Sequence, residues 1–150
     1  MAVELITEST PEVVDAMARL LPQLSRSAKP LDAAGCERFI SQPGVDFFVF
    51  RPDEADESGE QPILGMLSLA TFEIPTGVRA WIEDVVVDEA ARGQGAGADL
   101  VHAAMERAKA VGSRTVDLTS RPTREAANRL YQRIGFELRE TNVYRVPLAD

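Results

Sequence analysis

Apolar and polar residues alternate with period two over VELIT (3–7), which predicts a first strand. The period then changes. Val13, Val14, Met17, Leu20, Leu21 and Leu24 recur at helical spacing behind a Thr10-Pro11 start, where threonine caps and proline fits the first turn. SRSAKP (25–30) is a loop, and Asp32 is placed to cap a second helix running through Ile40, with Leu31, Cys36, Phe39 and Ile40 available for its buried side. VDFFVFR (45–51) predicts a strand, PDEADESGEQ (52–61) an acidic turn, PILGMLSLATFEI (62–74) a long strand, PTG (75–77) a tight turn and VRAWIEDVVVD (78–88) a further strand. Leu100, Val101, Ala104, Met105, Ala108 and Val111 predict a helix stopped at Gly112, and TVDLTS (115–120) a short strand. A helix over 123–134 stopped at Gly135 and two closing strands, FELRE (136–140) and NVYRVPL (142–148), complete the pattern. No repeat or shift in composition divides the chain, so residues 1–150 are expected to form one domain. The order of elements implies an α/β or α+β fold, a sheet with helices on both faces.

Composition narrows this little. Hydrophobic residues make up 45% and charged residues 27%, the balance of a soluble globular protein. No apolar run approaches the ~18–20 residues that span a bilayer. MAVELITEST has no basic segment of the kind that opens a secretory signal. The single cysteine, Cys36, fits a reducing cytoplasm. A net charge of −8 argues against binding to nucleic acid or an anionic membrane and is compatible with a cationic substrate.

The stretch RGQGAGADL (92–100) lies between a predicted strand and a predicted helix. Glycine costs roughly 1 kcal/mol against alanine inside a helix, so its use at 93, 95 and 97 needs a reason. Bare backbone at a helix N-terminus exposes unpaired N–H groups at the positive end of the dipole, an arrangement that cradles phosphate oxygens. A tight turn with close helix–sheet packing is the plainer reading. A P-loop needs Lys-Ser/Thr where Ala98-Asp99 stands. Gly93, Gly95 and Ala98 satisfy G-x-G-x-x-A, with Asp117 about 20 residues on, but DEAAR (88–92) separates the strand from the first glycine. The chain left after the loop is too short for the usual dinucleotide half-sheets, which makes a dinucleotide binder the weaker fit.

Arg92-Gly93-Gln94-Gly95-Ala96-Gly97 resembles the R/Q-x-x-G-x-G/A signature of the GNAT superfamily, the acyl-CoA-dependent N-acetyltransferases. Ala126 to Phe136, with Asn128, Leu130-Tyr131 and Gly135-Phe136, is similar to that family's second hallmark, A-x-x-x-LY-x-x-x-GF. The motifs cover about residues 82–136, and the order of elements matches over the whole chain. The resemblance implies a mixed, mostly antiparallel, twisted sheet and acetyl-CoA as cosubstrate. It implies that backbone at Val85, Val86 and Val87 pairs with the pantetheine arm. Arg92, Gly93, Gln94, Gly95, Ala96, Gly97 and Ala98 would hold the pyrophosphate. Asn128 lies within the second motif and is counted among the cofactor contacts. Arg124 stands where the family often has asparagine, and an arginine can instead meet a phosphate.

Acetyl transfer to an amine needs a group to take the ammonium proton, because a lysine-like amine with pKa ~10.4 is mostly protonated at neutral pH. Strand alternation puts Trp81, Glu83, Val85 and Val87 on one face and Ile82, Asp84 and Val86 on the other. Glu83 among those apolar neighbours is expected to be desolvated, which makes a carboxylate a better base. The resemblance places it where many members carry a catalytic glutamate, often acting through water. Asp84 is the alternative, and a structural hydrogen bond the plainer role. Tyr131 falls where the family's general acid usually sits, although a tyrosine on an amphipathic helix is often core.

A Cys36–His102 nucleophile is disfavoured, since Cys36 lies among apolar residues and His102 on the helix after the loop. No His/Cys/Asp/Glu spacing resembles a metal site. The expected acceptor is an amine of a small molecule or peptide. By the resemblance it is selected by 25–32, Phe72, Glu73, Trp81 and Thr119 to Arg121, with Trp81 able to hold an amine by a cation–π contact. The C-terminal strands offer an edge for a homodimer. A catalytically silent acyl-CoA sensor is the alternative function.

Overall fold

Thr10 and Asp32 start helices as their chemistry requires. Thr10 Oγ1 accepts from the Val13 amide (3.3 Å) at the head of α1 (Pro11–Leu24), and Asp32 Oδ1 accepts from the Gly35 amide (2.7 Å) at the head of α2 (Ala33–Ile40). Such caps satisfy an otherwise orphaned donor and are typically worth ~1 kcal/mol. Both belong to a computed structural model that describes residues 2–149. It divides into two compact units, one ending at Thr119 and one beginning at Ser120.

In the first unit, β1 (Val3–Ile6), β2 (Val45–Phe50), β3 (Gly65–Ile74) and β4 (Gly77–Val87) form an antiparallel sheet in the order β1-β2-β3-β4. Helices cover both of its faces, as the sequence predicts. Val13, Ala16, Met17 and Leu20 of α1 and Cys36 of α2 pack with Ile6, Phe47, Val49, Met66 and Val86. Each fully buried large apolar side chain in that cluster contributes ~1.5–3 kcal/mol before entropy is counted. On the other face lies α3 (Ala96–Ala110). Its Leu100 is so close to β3 that a Cβ on Gly65 would come within 3.2 Å of it. Arg51, just past β2, ties the end of the sheet together. Its guanidinium meets both Glu12 oxygens (2.7 Å each), Glu4 (3.2 Å) and the Gln61 carbonyl (3.0 Å). The hydrogen bond to Glu12 raises the pKa of Arg51, and Arg51 in turn lowers that of Glu12.

The strand expected over 115–120 is reduced to one parallel bridge, Trp81 with Asp117. Asp117 accepts from the Ile82 amide (2.9 Å) and donates to the Ala80 carbonyl (3.0 Å). Buried Ser113 anchors the approach to it, its hydroxyl reaching the carbonyls of Val78 (3.2 Å) and Thr115 (2.7 Å).

The second unit contains α4 (Glu125–Ile134), stopped at Gly135 as expected. The two closing strands are not found. Residues 136–149 form no strand, and Leu138, Val143, Tyr144, Val146 and Leu148 are exposed. Alternation in these segments is suited to a sheet, but a strand exists only through its ladder, and none forms here.

Candidate acyl-CoA site

The centre of β4 is irregular. Ser68 pairs with Glu83 and Met66 with Val86, so Leu67 alone faces Asp84 and Val85. This β-bulge puts Asp84 at φ +50°, the only described non-glycine residue in the left-handed region. For a residue with a Cβ that conformation costs roughly 1–2 kcal/mol, although Asp tolerates it better than most. The bulge also overturns the facing expected from simple alternation. Trp81 and Glu83 share the α1/α2 face with Val86, while Val87, paired with Gly65, turns to the α3 face beside Val85 and Ile82. Glu83 is exposed rather than enclosed by apolar neighbours, so the expected desolvation is absent. Among the described residues, no second strand pairs with 83–87 on the side away from β3.

Beyond β4, Asp88 fastens the chain. Its carboxylate accepts from the Ala90 amide (2.9 Å) and from Gln23 (3.2 Å) and lies 3.5 Å from Arg19. The Ala90 hydrogen bond, helped by Gln23 and Arg19 and opposed by burial, holds its pKa below the ordinary value. A 3-10 turn, Glu89–Ala91, follows, and Ala91 and Ala96 are buried on either side of the glycine turn. Gly93 and Gly95 have φ +81° and +76°, and a Cβ at either would meet nothing within 4 Å. Glycine is required there by backbone conformation, in open surroundings, which the sequence had not indicated.

Asp99 is the first residue of α3 whose amide reaches a helical acceptor, the Gly95 carbonyl at 3.0 Å. Among the described residues the N–H groups of Gly93, Gly95, Ala96, Gly97 and Ala98 have no acceptor, and α3 has no side-chain cap. Five free donors at the positive end of a helix suit the oxygens of a diphosphate. Arg92, exposed and 3.8 Å from Glu89, is available beside them, whereas Gln94 is engaged, its side-chain Nε2 donating to the Ala90 carbonyl and its backbone N–H to the Ala91 carbonyl (3.2 Å each). A cleft of about 670 Å³ next to the turn is lined by Asp53, Glu54, Asp56 and Asp99, and its charge disfavours a phosphate there.

In the second unit, Asn128 Nδ2 donates to the carbonyls of Arg121 and Arg124 (2.9 Å each), binding the start of α4 to the residues before it. Tyr131 is buried, its ring 5.9 Å from that of Phe136. Burial raises its phenol pKa, and the charge of Arg124 opposes the shift. Ser120 Oγ is buried and has no hydrogen-bond partner among the described residues.

Asp88 is the residue that sequence reasoning missed. The D-E-A-A run is a capping signal, but Gln23 and Arg19 approach from 65 and 69 positions away in the chain and leave no local trace. Cys36 is buried against Met17 (Sγ to Sδ 3.6 Å), in keeping with a packing role. Among the described residues, no group of three His, Cys, Asp or Glu is placed to hold a metal ion, and no helix is long and apolar enough to cross a membrane.

The family model of the GNAT acetyltransferases matches residues 13–136. The chain belongs to that family. An acetyltransferase of Trypanosoma brucei has the same fold with TM-score 0.75 and 26% identity, over 97% of this chain and 98% of that one. A transcriptional regulator from Bacillus halodurans matches at TM-score 0.72 and 28% identity, over 96% and 99%. An aminoglycoside acetyltransferase from an uncultured soil metagenomic sample superposes at TM-score 0.82 with 18% identity, over 99% and 95%. At that identity the likeness concerns the fold alone. No curated protein matches the chain significantly by sequence.

Proposed function

We propose that residues 1–150 act as one acetyltransferase domain that moves the acetyl group of acetyl-CoA directly onto an amine. The observation that carries this reading is the set of free N–H donors of Gly93, Gly95, Ala96, Gly97 and Ala98 at the head of α3, shortly after a bulged strand with an open edge. Open space at Gly93 and Gly95 leaves a bulky anion free to approach. Acetyl-CoA supplies the activated acyl group as a thioester. The chain's own groups do the rest. Backbone donors 93–98, with Arg92, Gln94, Arg124 and Asn128, hold the phosphates, and Val85 to Val87 offer main-chain partners to the amide-bearing arm. Glu83, in contact with solvent, takes the ammonium proton directly or through water, and Tyr131 gives a proton to the departing thiolate. Its raised pKa keeps the phenol protonated at neutral pH. Each such group is typically worth 10²–10⁴-fold.

A second reading, a silent acyl-CoA sensor, is supported by the exposure of Glu83 and by the likeness to a transcriptional regulator.

Thermal unfolding with acetyl-CoA, CoA, NAD and ATP tests the cradle. A ligand at 100 times its Kd adds about 2.7 kcal/mol. A shift with the two CoA species alone supports the reading. Stabilisation by NAD without CoA would return the glycines to a dinucleotide role. Acetyl-CoA consumption with an amine present then separates enzyme from sensor.

A further inference from the structure

The sheet face that carries Glu83 is built for a particular kind of acceptor. Ser68 stands opposite Glu83, Ala70 opposite Trp81 and Phe72 opposite Arg79. On the other side of β3, Phe47 stands opposite Ser68 and Val45 opposite Ala70. Two small residues therefore separate a wall of Phe47 from a wall of Trp81 and Glu83. Phe39 of α2 packs edge-on against Phe47, ring centres 5.3 Å apart, and completes the first wall. Phe72 is 48% exposed and Trp81 half-buried, and as diagonal cross-strand neighbours their Cβ atoms lie about 7–8 Å apart. Along β4, Trp81 has a carboxylate two residues ahead and the exposed guanidinium of Arg79 two residues behind, each roughly 6.6 Å away along the strand.

From this slot we propose that the acceptor is a monocationic amine on a flat apolar body, of the arylalkylamine class. The body lies against Trp81 and Phe72, and the nitrogen points to Glu83. The inference rests on the acetyltransferase reading and names its substrate. An aromatic body matches the exposed rings and the small floor, whereas a polyhydroxylated body would leave its hydroxyls facing apolar groups. Glu83 and the Trp81 ring both favour an ammonium at one end. Arg79 repels a second cation at the other end, which disfavours polyamines and aminoglycosides. In the transfer, the amine nitrogen forms the new N–C bond to the acetyl carbon as the thioester C–S bond breaks. Glu83 takes one proton from the ammonium before attack, Tyr131 gives its proton to the departing thiolate, and the second proton lost from the nitrogen as the amide forms passes through solvent to restore the Tyr131 phenol.

Trp81 is the only tryptophan, so its fluorescence reports on this slot without any turnover. Titration with phenethylamine should change the emission saturably, and spermidine or kanamycin at equal concentration should not. Phenethylamine should be acetylated with kcat/KM at least about tenfold above spermidine. Arg79→Glu, an exposed change that the fold tolerates, should narrow that preference by favouring spermidine. A protein that still shows the acetyl-CoA shift but responds to spermidine or kanamycin better than to phenethylamine, or to no amine, overturns the substrate class alone. Loss of the acetyl-CoA shift itself would instead remove the acetyltransferase reading, and the fluorescence titration distinguishes the two failures.

Discussion

Replacing Gly95 by alanine separates backbone geometry from packing at the head of α3. The residue sits at φ +76° with nothing within 4 Å of where a Cβ would be, so steric crowding contributes no penalty. What remains is the left-handed conformation itself, roughly 1–2 kcal/mol for a residue with a Cβ. For a chain of this size each kcal/mol corresponds to about 2–4 °C, so Gly95→Ala should lower the unfolding temperature by roughly 2–8 °C. Gly97, two positions on, is inside α3, and alanine there relieves up to ~1 kcal/mol of helix propensity. The two variants should therefore move in opposite directions by scanning calorimetry of the ligand-free protein. Both should weaken stabilisation by acetyl-CoA, Gly95→Ala by displacing the donors and Gly97→Ala by adding a methyl group beside them. If Gly95→Ala melts with the wild type, the left-handed turn is not the reason for the glycine.

Glu83→Gln and Tyr131→Phe should each lower acetyl transfer by ~10²–10⁴-fold in a coupled thiol-release assay while keeping the acetyl-CoA shift; full activity in either would remove that residue's assigned role. Asp88 has a depressed pKa, so its contribution is present above the unfolded carboxylate value near 3.9 and lost as pH falls through the lower folded value. Asp88→Asn should be less stable at pH 7, by ~1 kcal/mol for the impaired cap, and the difference should shrink below pH 4 in acid titrations followed by circular dichroism. Cys36 is fully buried, and burial followed by the Asp32 charge raises its thiol pKa. It should react with a thiol reagent only at the global unfolding rate, and rapid labelling of the native protein would contradict this packing. Ser120→Ala removes a buried hydroxyl without a partner, so it should leave stability unchanged or raise it by up to ~1 kcal/mol in denaturant titrations.

The features read correctly from sequence are those whose causes lie within a few residues. Thr10 and Asp32 cap because an oxygen acceptor falls three residues before an orphan amide, and Gly112 and Gly135 end helices by local conformation. The position of the glycine turn between β4 and α3 was equally local, although the left-handed backbone that requires glycine at 93 and 95 was not. The facing of Val85, Val86 and Val87 relative to Glu83 was not, because it depends on one extra residue in β4 against β3, and alternation counted along one strand cannot register a bulge in a pair. The closing strands failed for a related reason. Residues 142–148 have the composition of a strand, but composition does not provide a partner. Asp88 draws Gln23 and Arg19 from the first helix, a meeting determined by the finished fold.

The bulge at Asp84 divides one strand into two separately variable halves. Arg79, Trp81 and Glu83 look to one side of the sheet, and Val85 and Val87 to the other, with a single strained residue at the changeover. Under the acceptor proposed above, substitutions in the first set would change which amine is favoured without disturbing the second set or the glycine turn that follows it. Conversely, deleting the residue at 84 would leave Glu83 opposite Ser68 and Val86 opposite Met66, and would remove only the extra residue and its strained backbone from between the two sets.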